Sequence, residues 1–342
     1  MKKTIFISVL ALVAAISCTK SDIVDTKFEK EAIGFENYLG RDAQTKGAEA
    51  TLATLKNDGI GIYGVYTGTT NWNGITGANI LINEPLTFDA TKNEWTYTNT
   101  AYWTNNKDKY SFLAYSPYSE TAASQPEGKS PQVTFAVNDA IANQVDFVYA
   151  NTKADANGLN GHVNMVRPAN NAPVSLKFQH ALTRLSVKAK AYEAYTDFSF
   201  NITNISITGD FNTSGTFDLY NGAWISKTPT ANKSYDLTGS VNQALTTTEK
   251  DFSASSNYLM MIPTDFSSKN ATLNVTYTIT YKGATSNPIT KPVEVSKNFL
   301  QGNAYSIVLT LQRDETNAIK FTVDETVTDW TNGGDVNVGT NA

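Results

Sequence analysis

The sequence is poor in the residues that carry most enzyme chemistry and most covalent cross-links. Its 342 residues include one cysteine and two histidines. A single cysteine cannot form a disulfide within the chain, so stability must come from burial of a core. Charged residues make up only 17% of the chain, and the formal net charge is −5. Phosphate backbones are bound by basic patches, so this acidic composition argues against nucleic acid as a partner.

The sequence also lacks an apolar run long enough to cross a membrane. The apolar run near the start, residues 4–16, is shorter than the roughly 20 residues that span a bilayer. It follows two lysines and precedes Cys18, after a stretch of small and aliphatic residues that is typical of the lipobox of bacterial lipoproteins. We therefore predict that residues 1–17 are a signal peptide, that Cys18 is lipidated, and that residues 18–31 link the lipid to the fold.

The first predicted strand spans residues 32–40. Its apolar residues recur at a period of two, which indicates a strand with one buried face. Those residues are Ile33, Phe35 and Leu39.

A polar, small-residue linker follows at residues 41–50 and contains Arg41 and Lys46. Proteolysis concentrates in exposed segments of this composition, so either basic residue is a candidate cleavage site. An ordinary surface loop after an ordinary first strand is the simpler interpretation, and the sequence alone favours it.

The rest of the chain predicts an all-β fold. Apolar residues on both faces of residues 60–67 indicate a central strand. Strands are predicted at 198–207 and 215–219, and Tyr220-Asn221-Gly222 then supplies a hairpin turn. Short strands at regular spacing, with turn residues between them and no long helical period, are typical of β-sandwich domains.

The length is sufficient for about two domains. Residues 151–172 are rich in Asn, Ala, Gly and Pro, which favours a junction there. We predict an N-terminal domain at 32–170 and a C-terminal domain at 171–342, with a boundary up to about 20 residues later as the alternative.

The residues that could carry chemistry are better explained by structure. His180 lies in an apolar strand, which favours a buried, hydrogen-bonded imidazole over a ligand. His162 lies in a Gly/Asn loop without metal-ligand spacing. We predict no metal, no cofactor and no enzymatic activity. Four of the five tryptophans lie near turns, where they could form an exposed carbohydrate-binding platform, but packing in the core or at a sheet edge is favoured. They are Trp72, Trp95, Trp103 and Trp224.

Several segments together resemble the fimbrillin family of the Bacteroidetes. They are the lipobox, the region of Trp72, FLAYSP at 112–117, QVDFVYA at 144–150, VSLKFQHAL at 174–182, and IKFTV at 319–323 leading to Trp330. The resemblance spans essentially the whole chain. It implies two transthyretin-like β-sandwich domains in tandem and a structural subunit of a type V pilus, a fimbria that supports adhesion.

The resemblance also implies an assembly pathway. A lipoprotein precursor would reach the cell outer membrane, held by lipid through Cys18. A protease specific for arginine or lysine would then cut after Arg41 or Lys46 and remove the first strand. A C-terminal strand of another fimbrial subunit would fill the vacated groove. The donor residues would be Ile319, Phe321, Val323, Val327, Val336 and Val338.

Two alternatives stay open. Residues 319–323 could be an ordinary last strand of the C-terminal domain. The chain could also be a permanently anchored lipoprotein that does not polymerise, either a pilus anchor or tip or a glycan-binding adhesin with a host or bacterial surface ligand.

Overall fold

The computed structural model describes residues 30–38, 50–239, 241–253, 258–268, 271–313 and 319–330. At residues 37–38, 52 and 319–329 it describes the backbone alone. These parts of the chain form one α-helix, two 3₁₀ turns and twenty strands, which confirms the all-β prediction. The helix α1 is Leu52–Asp58, and the 3₁₀ turns are Ile141–Asn143 and Ala169–Asn171.

The strands are numbered in chain order. The first ten are β1 Phe35–Tyr38, β2 Ile60–Gly68, β3 Ala78–Asp89, β4 Glu94–Thr96, β5 Lys109–Ser116, β6 Ala123–Ser124, β7 Gln132–Ala136, β8 Val148–Ala150, β9 Val174–His180 and β10 Thr183–Ala191. The other ten are β11 Phe198–Asp218, β12 Ala223–Asp236, β13 Gln243–Ala244, β14 Lys250–Asp251, β15 Leu259–Met261, β16 Ala271–Tyr281, β17 Ala284–Thr285, β18 Ile289–Val295, β19 Asn303–Arg313 and β20 Ile319–Asp329.

Seven strands form the first sheet, in the order β1-β9-β8-β5-β2-β3-β4. The predicted central strand is β2, which pairs with β3 on one side and β5 on the other. Its residues alternate between two cores, because Ile60 and Ile62 face one and Tyr63 and Val65 the other. A strand that is apolar on both faces needs both to be covered, and this explains its place inside the sheet.

Two further sheets contain most of the later strands. One includes β14-β10-β19-β20 with β15 attached to β10, and the other includes β17-β16-β11-β7-β6 with β12, β13 and β18 alongside. The predicted boundary at residue 170 falls between β8 and β9, which pair within the first sheet. β9 ends at His180 and β10, in a different sheet, begins at Thr183, whereas β6 and β7 earlier in the chain already lie in the sheet of β11. The domain boundary stays a prediction.

The long strand β11 differs from the sequence prediction of two separate strands. It continues through 21 residues, with register irregularities between Gly209 and Phe211 and between Asn212 and Ser214. Such irregularities bend a strand without ending it. Along one edge of β11, its first part pairs with β16 and its last part with β7, while β12 pairs with the residues from Ser206 to Asp218 along the other edge. The predicted hairpin after it is confirmed, because Asp218 pairs with Ala223.

Three apolar cores stabilise the described part of the chain. One lies among the later strands and includes Leu185, Ile207 and Leu309. A second covers one face of the first sheet and includes Ile33, Phe35 and Phe112. The third joins the other face of the first sheet to the later strands and is rich in aromatic rings. Its rings and side chains include Tyr63, Trp72, Tyr115, Phe147, Phe217 and Trp330. In the described parts of the chain, the helical segments lack the length and apolar character of a membrane-spanning helix.

Candidate functional site: the first-strand slot and the last strand

The first strand lies at an edge of the first sheet. It runs parallel to β9, with Phe35 opposite Val174 and Tyr38 opposite Lys177. The Val174 amide donates to the Gly34 carbonyl at 2.8 Å. β1 pairs with the first four residues of β9, whereas β8 pairs with its last three. The edge of β9 that β1 occupies is therefore used by no other described strand.

Residues 101–103 form a second set of backbone hydrogen bonds, with residues 31–33 just before β1. The Ile33 amide donates to the Ala101 carbonyl at 2.9 Å, and the Trp103 amide donates to the Glu31 carbonyl at 3.0 Å. Residues 31–35 thus lie in a groove between β9 and residues 101–103. We call this groove the first-strand slot.

The side chains of the first strand alternate as predicted. Ala32, Gly34 and Glu36 are exposed, whereas Ile33 is 1% and Phe35 5% exposed. Burying each of these two side chains contributes about 1.5–3 kcal/mol. The prediction of one buried face is therefore confirmed at Ile33 and Phe35.

Aromatic rings line the slot. The Phe35 ring meets Tyr97 at 5.5 Å and Phe112 at 5.2 Å between centroids, both edge to face. The Tyr97 hydroxyl donates to the Ile33 carbonyl at 2.7 Å, and burial raises the Tyr97 pKa. Trp103 packs edge to face on Phe112 behind them. Sequence reasoning did not identify these lining residues, because they come from segments far from β1 in the chain.

An ion pair lies at the N-terminal end of the segment in the slot, at Glu31. The Arg167 guanidinium contacts the Glu31 carboxylate, and its Nε donates to Asn171 at 2.6 Å. Both charged groups are partly exposed, so solvent screens their attraction. The ion pair therefore positions the segment more than it stabilises it.

The other predicted processing residues lie outside the described residues. They are Cys18, Leu39, Arg41 and Lys46. Beyond the linker, the Ala50 amide donates to the Asp146 carboxylate at 3.1 Å.

The last strand, β20, lies at the edge of its sheet. It pairs antiparallel with β19 along its whole 11-residue length, from Ile319 opposite Arg313 to Asp329 opposite Asn303. It has no second neighbour among the described strands. Of the predicted donor residues, Ile319, Phe321, Val323 and Val327 lie in β20, while Val336 and Val338 lie outside the described residues. Their role as donors stays a prediction.

Trp330 anchors the end of β20 next to the first sheet. Its ring stacks parallel on His180 at 4.1 Å, and its amide donates to the Gly302 carbonyl at 2.9 Å. His180 in turn contacts the buried Asp146 carboxylate at 2.6 Å through Nδ1. The prediction of a hydrogen-bonded His180 is confirmed, and its side chain is largely but not fully buried, with 10% exposed. We call the Asp146, His180 and Trp330 set the β20 clasp.

His162 is more buried than its Gly/Asn surroundings predicted. It has no solvent exposure, and its Nδ1 lies 2.7 Å from the Phe112 carbonyl. The Thr152 amide donates to Nε2 at 3.2 Å, which requires the neutral imidazole with its proton on Nδ1. Burial lowers the His162 pKa to about 4. The surrounding loop is tied to β5 by pairing of Tyr110 with Met165, a contact that periodicity does not reveal.

The tryptophans pack in the fold rather than forming a platform. Trp72, Trp95 and Trp103 are buried, and Trp224 is half-buried with its indole nitrogen donating to the Ala181 carbonyl at 2.8 Å. Packing was the favoured prediction for these residues, and it is confirmed. Within the described residues, no group of three or more His, Cys, Asp or Glu side chains could hold a metal ion.

These features agree with comparisons to known proteins. The sequence model of the fimbrillin-like family matches residues 48–330, so the chain belongs to that family. Fimbrium subunit Fim1C of Phocaeicola vulgatus is 28% identical, over 96% of this chain and 97% of the relative.

Solved structures share the fold. A fimbrial protein from Bacteroides vulgatus superposes with a TM-score of 0.68 at 22% identity, covering 87% of this chain and 99% of that one. A candidate cell adhesion protein from Bacteroides uniformis gives a TM-score of 0.52 at 19% identity, with the same coverage.

Proposed function

We propose that this chain is a structural subunit of a cell-surface fimbria that assembles by exchange of strands between subunits. In this scheme the precursor is exported as a lipoprotein, anchored in the outer membrane through Cys18. A protease cuts after Arg41 or Lys46 and removes the first strand. The last strand of a neighbouring subunit then enters the first-strand slot. Family membership supports a structural role in place of a catalytic one.

The observation that carries the proposal is the construction of the slot. Residues 31–38 form a segment at the edge of the sheet, in which residues 34–38 bond to β9 and residues 31–33 bond to residues 101–103. Two of its side chains fill an aromatic groove. A cut in the linker would break the covalent connection between this segment and the domain. Only non-covalent contacts would then retain the segment.

Removal of the first strand would leave an unpaired strand edge beside an open apolar pocket. The edge of β9 from Val174 to Lys177 would lose its hydrogen-bonding partner, and the pocket around Tyr97 and Phe112 would be open to water. An unpaired edge beside an apolar groove favours addition of another strand. Backbone bonds then supply affinity, and alternating side chains supply register.

The proposal is tested by limited proteolysis of the purified chain without residues 1–18. We expect an arginine- or lysine-specific protease to cut after Arg41 or Lys46, and the clipped chain to form a ladder of oligomers that resists mild detergent. Arg41→Ala and Lys46→Ala, singly and together, identify the cut. A chain that is cut at these residues, loses its first strand and still stays monomeric would contradict the proposal.

A second candidate is a terminal subunit that accepts a strand but donates none. The pairing of β20 with β19 along its full length favours it, because donation must first break that pairing. A terminal subunit would bind a peptide with the sequence of a donor strand after clipping, yet it would form no ladder. The same proteolysis experiment, repeated with added peptide, separates the two candidates.

A further inference from the structure

A surface cavity of about 400 Å³ shares one residue, Arg167, with the start of the first-strand slot. Its volume lies within the range of small-molecule sites, which is roughly 300–1,000 Å³. The lining comes from the loop between β4 and β5 and from the loop between β8 and β9. It includes Asn106, Leu159, Arg167, Pro168, Asn170 and Asn171. We call this space the Arg167 cavity.

The charge of the Arg167 cavity favours an anion. Among the described residues that line it, Arg167 alone is charged, and its side chain is 13% exposed. Two side-chain amides fix the guanidinium, because Nε donates to the Asn171 oxygen at 2.6 Å and Nη1 to the Asn106 oxygen at 3.2 Å. A guanidinium that is held in place in this way loses little freedom when it binds a carboxylate.

The segment before β1 already places a carboxylate on this guanidinium. Nη2 of Arg167 contacts Oε2 of Glu31. The Glu31 side chain is 36% exposed, so a carboxylate from solution can reach the same group and displace it. The contact therefore shows which chemical group the guanidinium accepts, and it places an internal competitor at the edge of the cavity.

The other polar groups of the cavity fit the hydroxyls of a sugar. Asn106 and Asn171 use their side-chain oxygens to accept from Arg167, which leaves their amide nitrogens as donors. Asn170 adds an exposed amide that can both donate and accept. Neighbouring hydroxyls of a sugar ring also donate and accept, so they can pair with these amides. The side chain of an acidic peptide has no hydroxyls to offer them.

The cavity also has an apolar part. Leu159 is 48% exposed, and Pro168 contributes its ring to the same lining. A sugar ring presents C–H groups on its faces, so it can cover Leu159 and remove apolar surface from water. A carboxylate, several hydroxyls and an apolar face together describe a carboxylated sugar.

We propose that the Arg167 cavity binds a carboxylated sugar, with Arg167 holding the carboxylate and the asparagine amides holding the hydroxyls. Glu31 occupies the guanidinium in the intact precursor, so departure of the first strand frees the site. The site itself is independent of the proposed function, and only its release by processing rests on that function.

Calorimetric titration of the chain without residues 1–18 with trigalacturonic acid tests the site. We expect Glu31→Ala to bind about fivefold more tightly than the wild type, because a partly exposed ion pair is a weak competitor. The matched control is Glu36→Ala, which removes an exposed carboxylate of β1 opposite Ser175 and should leave the affinity unchanged. Equal affinities of Glu31→Ala and the wild type would overturn the competition by Glu31.

Two variants in the Glu31→Ala background test the lining. Arg167→Gln removes the charge and should weaken binding of trigalacturonic acid about tenfold. Asn170→Gly removes one amide, and glycine adopts the left-handed backbone at φ 56° without strain, so the fold is kept while binding weakens about threefold. Unchanged affinity in both variants would overturn the site.

Two comparison ligands test the ligand class. Galactotriose lacks the carboxylates and a triglutamate peptide lacks the hydroxyls, so we expect both to bind about tenfold more weakly than trigalacturonic acid. Equal binding of galactotriose would overturn the role of the carboxylate, and equal binding of triglutamate would overturn the assignment to a sugar.

The clipped chain separates this inference from the proposed function. Clipped wild type that has lost its first strand should bind trigalacturonic acid as tightly as Glu31→Ala does. Oligomers that form without such binding would overturn the site and leave assembly by strand exchange standing. Binding by Glu31→Ala in a chain that forms no oligomers after clipping would support the site while contradicting the proposed assembly.

Discussion

Replacing Phe35 by alanine in the intact precursor is expected to open the first-strand slot locally. Phe35 is 5% exposed and contacts the rings of Tyr97 and Phe112. Truncation of a buried phenylalanine to alanine costs about 3–5 kcal/mol, and an edge position belongs near the lower value. A loss of about 3 kcal/mol raises the population of the open slot roughly hundredfold, because each 1.4 kcal/mol is about a factor of ten.

Amide hydrogen exchange measures this opening at defined bonds. The Trp103 amide donates to Glu31 and the Val174 amide to Gly34, so both lose their acceptors when the segment detaches. We expect exchange at Trp103 and Val174 to accelerate roughly hundredfold in Phe35→Ala. The Phe266 amide, which donates to Lys297 in the later part of the chain, serves as the internal reference and should exchange at its original rate.

A matched pair of variants separates local opening from general destabilisation. Phe35→Leu and Phe211→Leu make the same chemical change, and Phe211 is fully buried in the core of the later strands. Only Phe35→Leu should accelerate exchange at Trp103 selectively. Unchanged exchange at Trp103 and Val174 in Phe35→Ala, or equal acceleration at Phe266, would refute the reasoning.

Three further predictions concern other contacts. Burial lowers the His162 pKa from 6.5 to about 4. Between those pH values the unfolded chain takes up a proton that the folded chain does not, so the free energy of unfolding should fall by roughly 3 kcal/mol as the pH drops. Chemical denaturation of the wild type and of His162→Asn at pH 7 and pH 4 measures this loss, and an equal loss in both proteins would contradict the prediction. Trp330→Leu removes the stack on His180 and should make ladder formation after clipping about tenfold faster, whereas Trp330→Phe should change the rate less. Gel electrophoresis measures the rate, and an unchanged rate in Trp330→Leu would show that the β20 clasp does not restrain β20. Glu31→Gln should accelerate hydrogen exchange at the Trp103 amide less than tenfold, because a partly exposed ion pair contributes no more than about 1 kcal/mol. Acceleration as large as in Phe35→Ala would show that the ion pair, rather than burial of Phe35, holds the segment in the slot.

Local patterns in the sequence predicted the local parts of this fold. The apolar residues on both faces of β2 placed it inside a sheet, and Tyr220-Asn221-Gly222 placed the turn between β11 and β12. The apolar neighbours of His180 predicted its largely buried, hydrogen-bonded side chain. Each of these predictions depends only on residues within one or two strands.

Long-range pairing could not be predicted in the same way. The alternation of Ile33 and Phe35 predicted a buried face, but nothing in it identifies β9 as the parallel neighbour or Tyr97 and Phe112 as the lining. Likewise, His162 is buried because its loop returns to β5. Periodicity indicates which residues need partners, and the topology alone decides which partners they find.

Strand β9 connects the two parts of the candidate site. Its first four residues pair with β1, and its last residue, His180, carries the stacked ring of Trp330 at the end of β20. β8 holds the second half of β9 in place independently of β1. Loss of the first strand would therefore expose only the first half of β9, while the half that contacts the clasp stays paired. In the proposed assembly by strand exchange, a donated strand would enter the slot of one copy without displacing that copy's own Trp330, because the two contacts use different ends of β9. Under that proposal, acceptance and donation would be separate events in each subunit, as growth of a linear polymer requires.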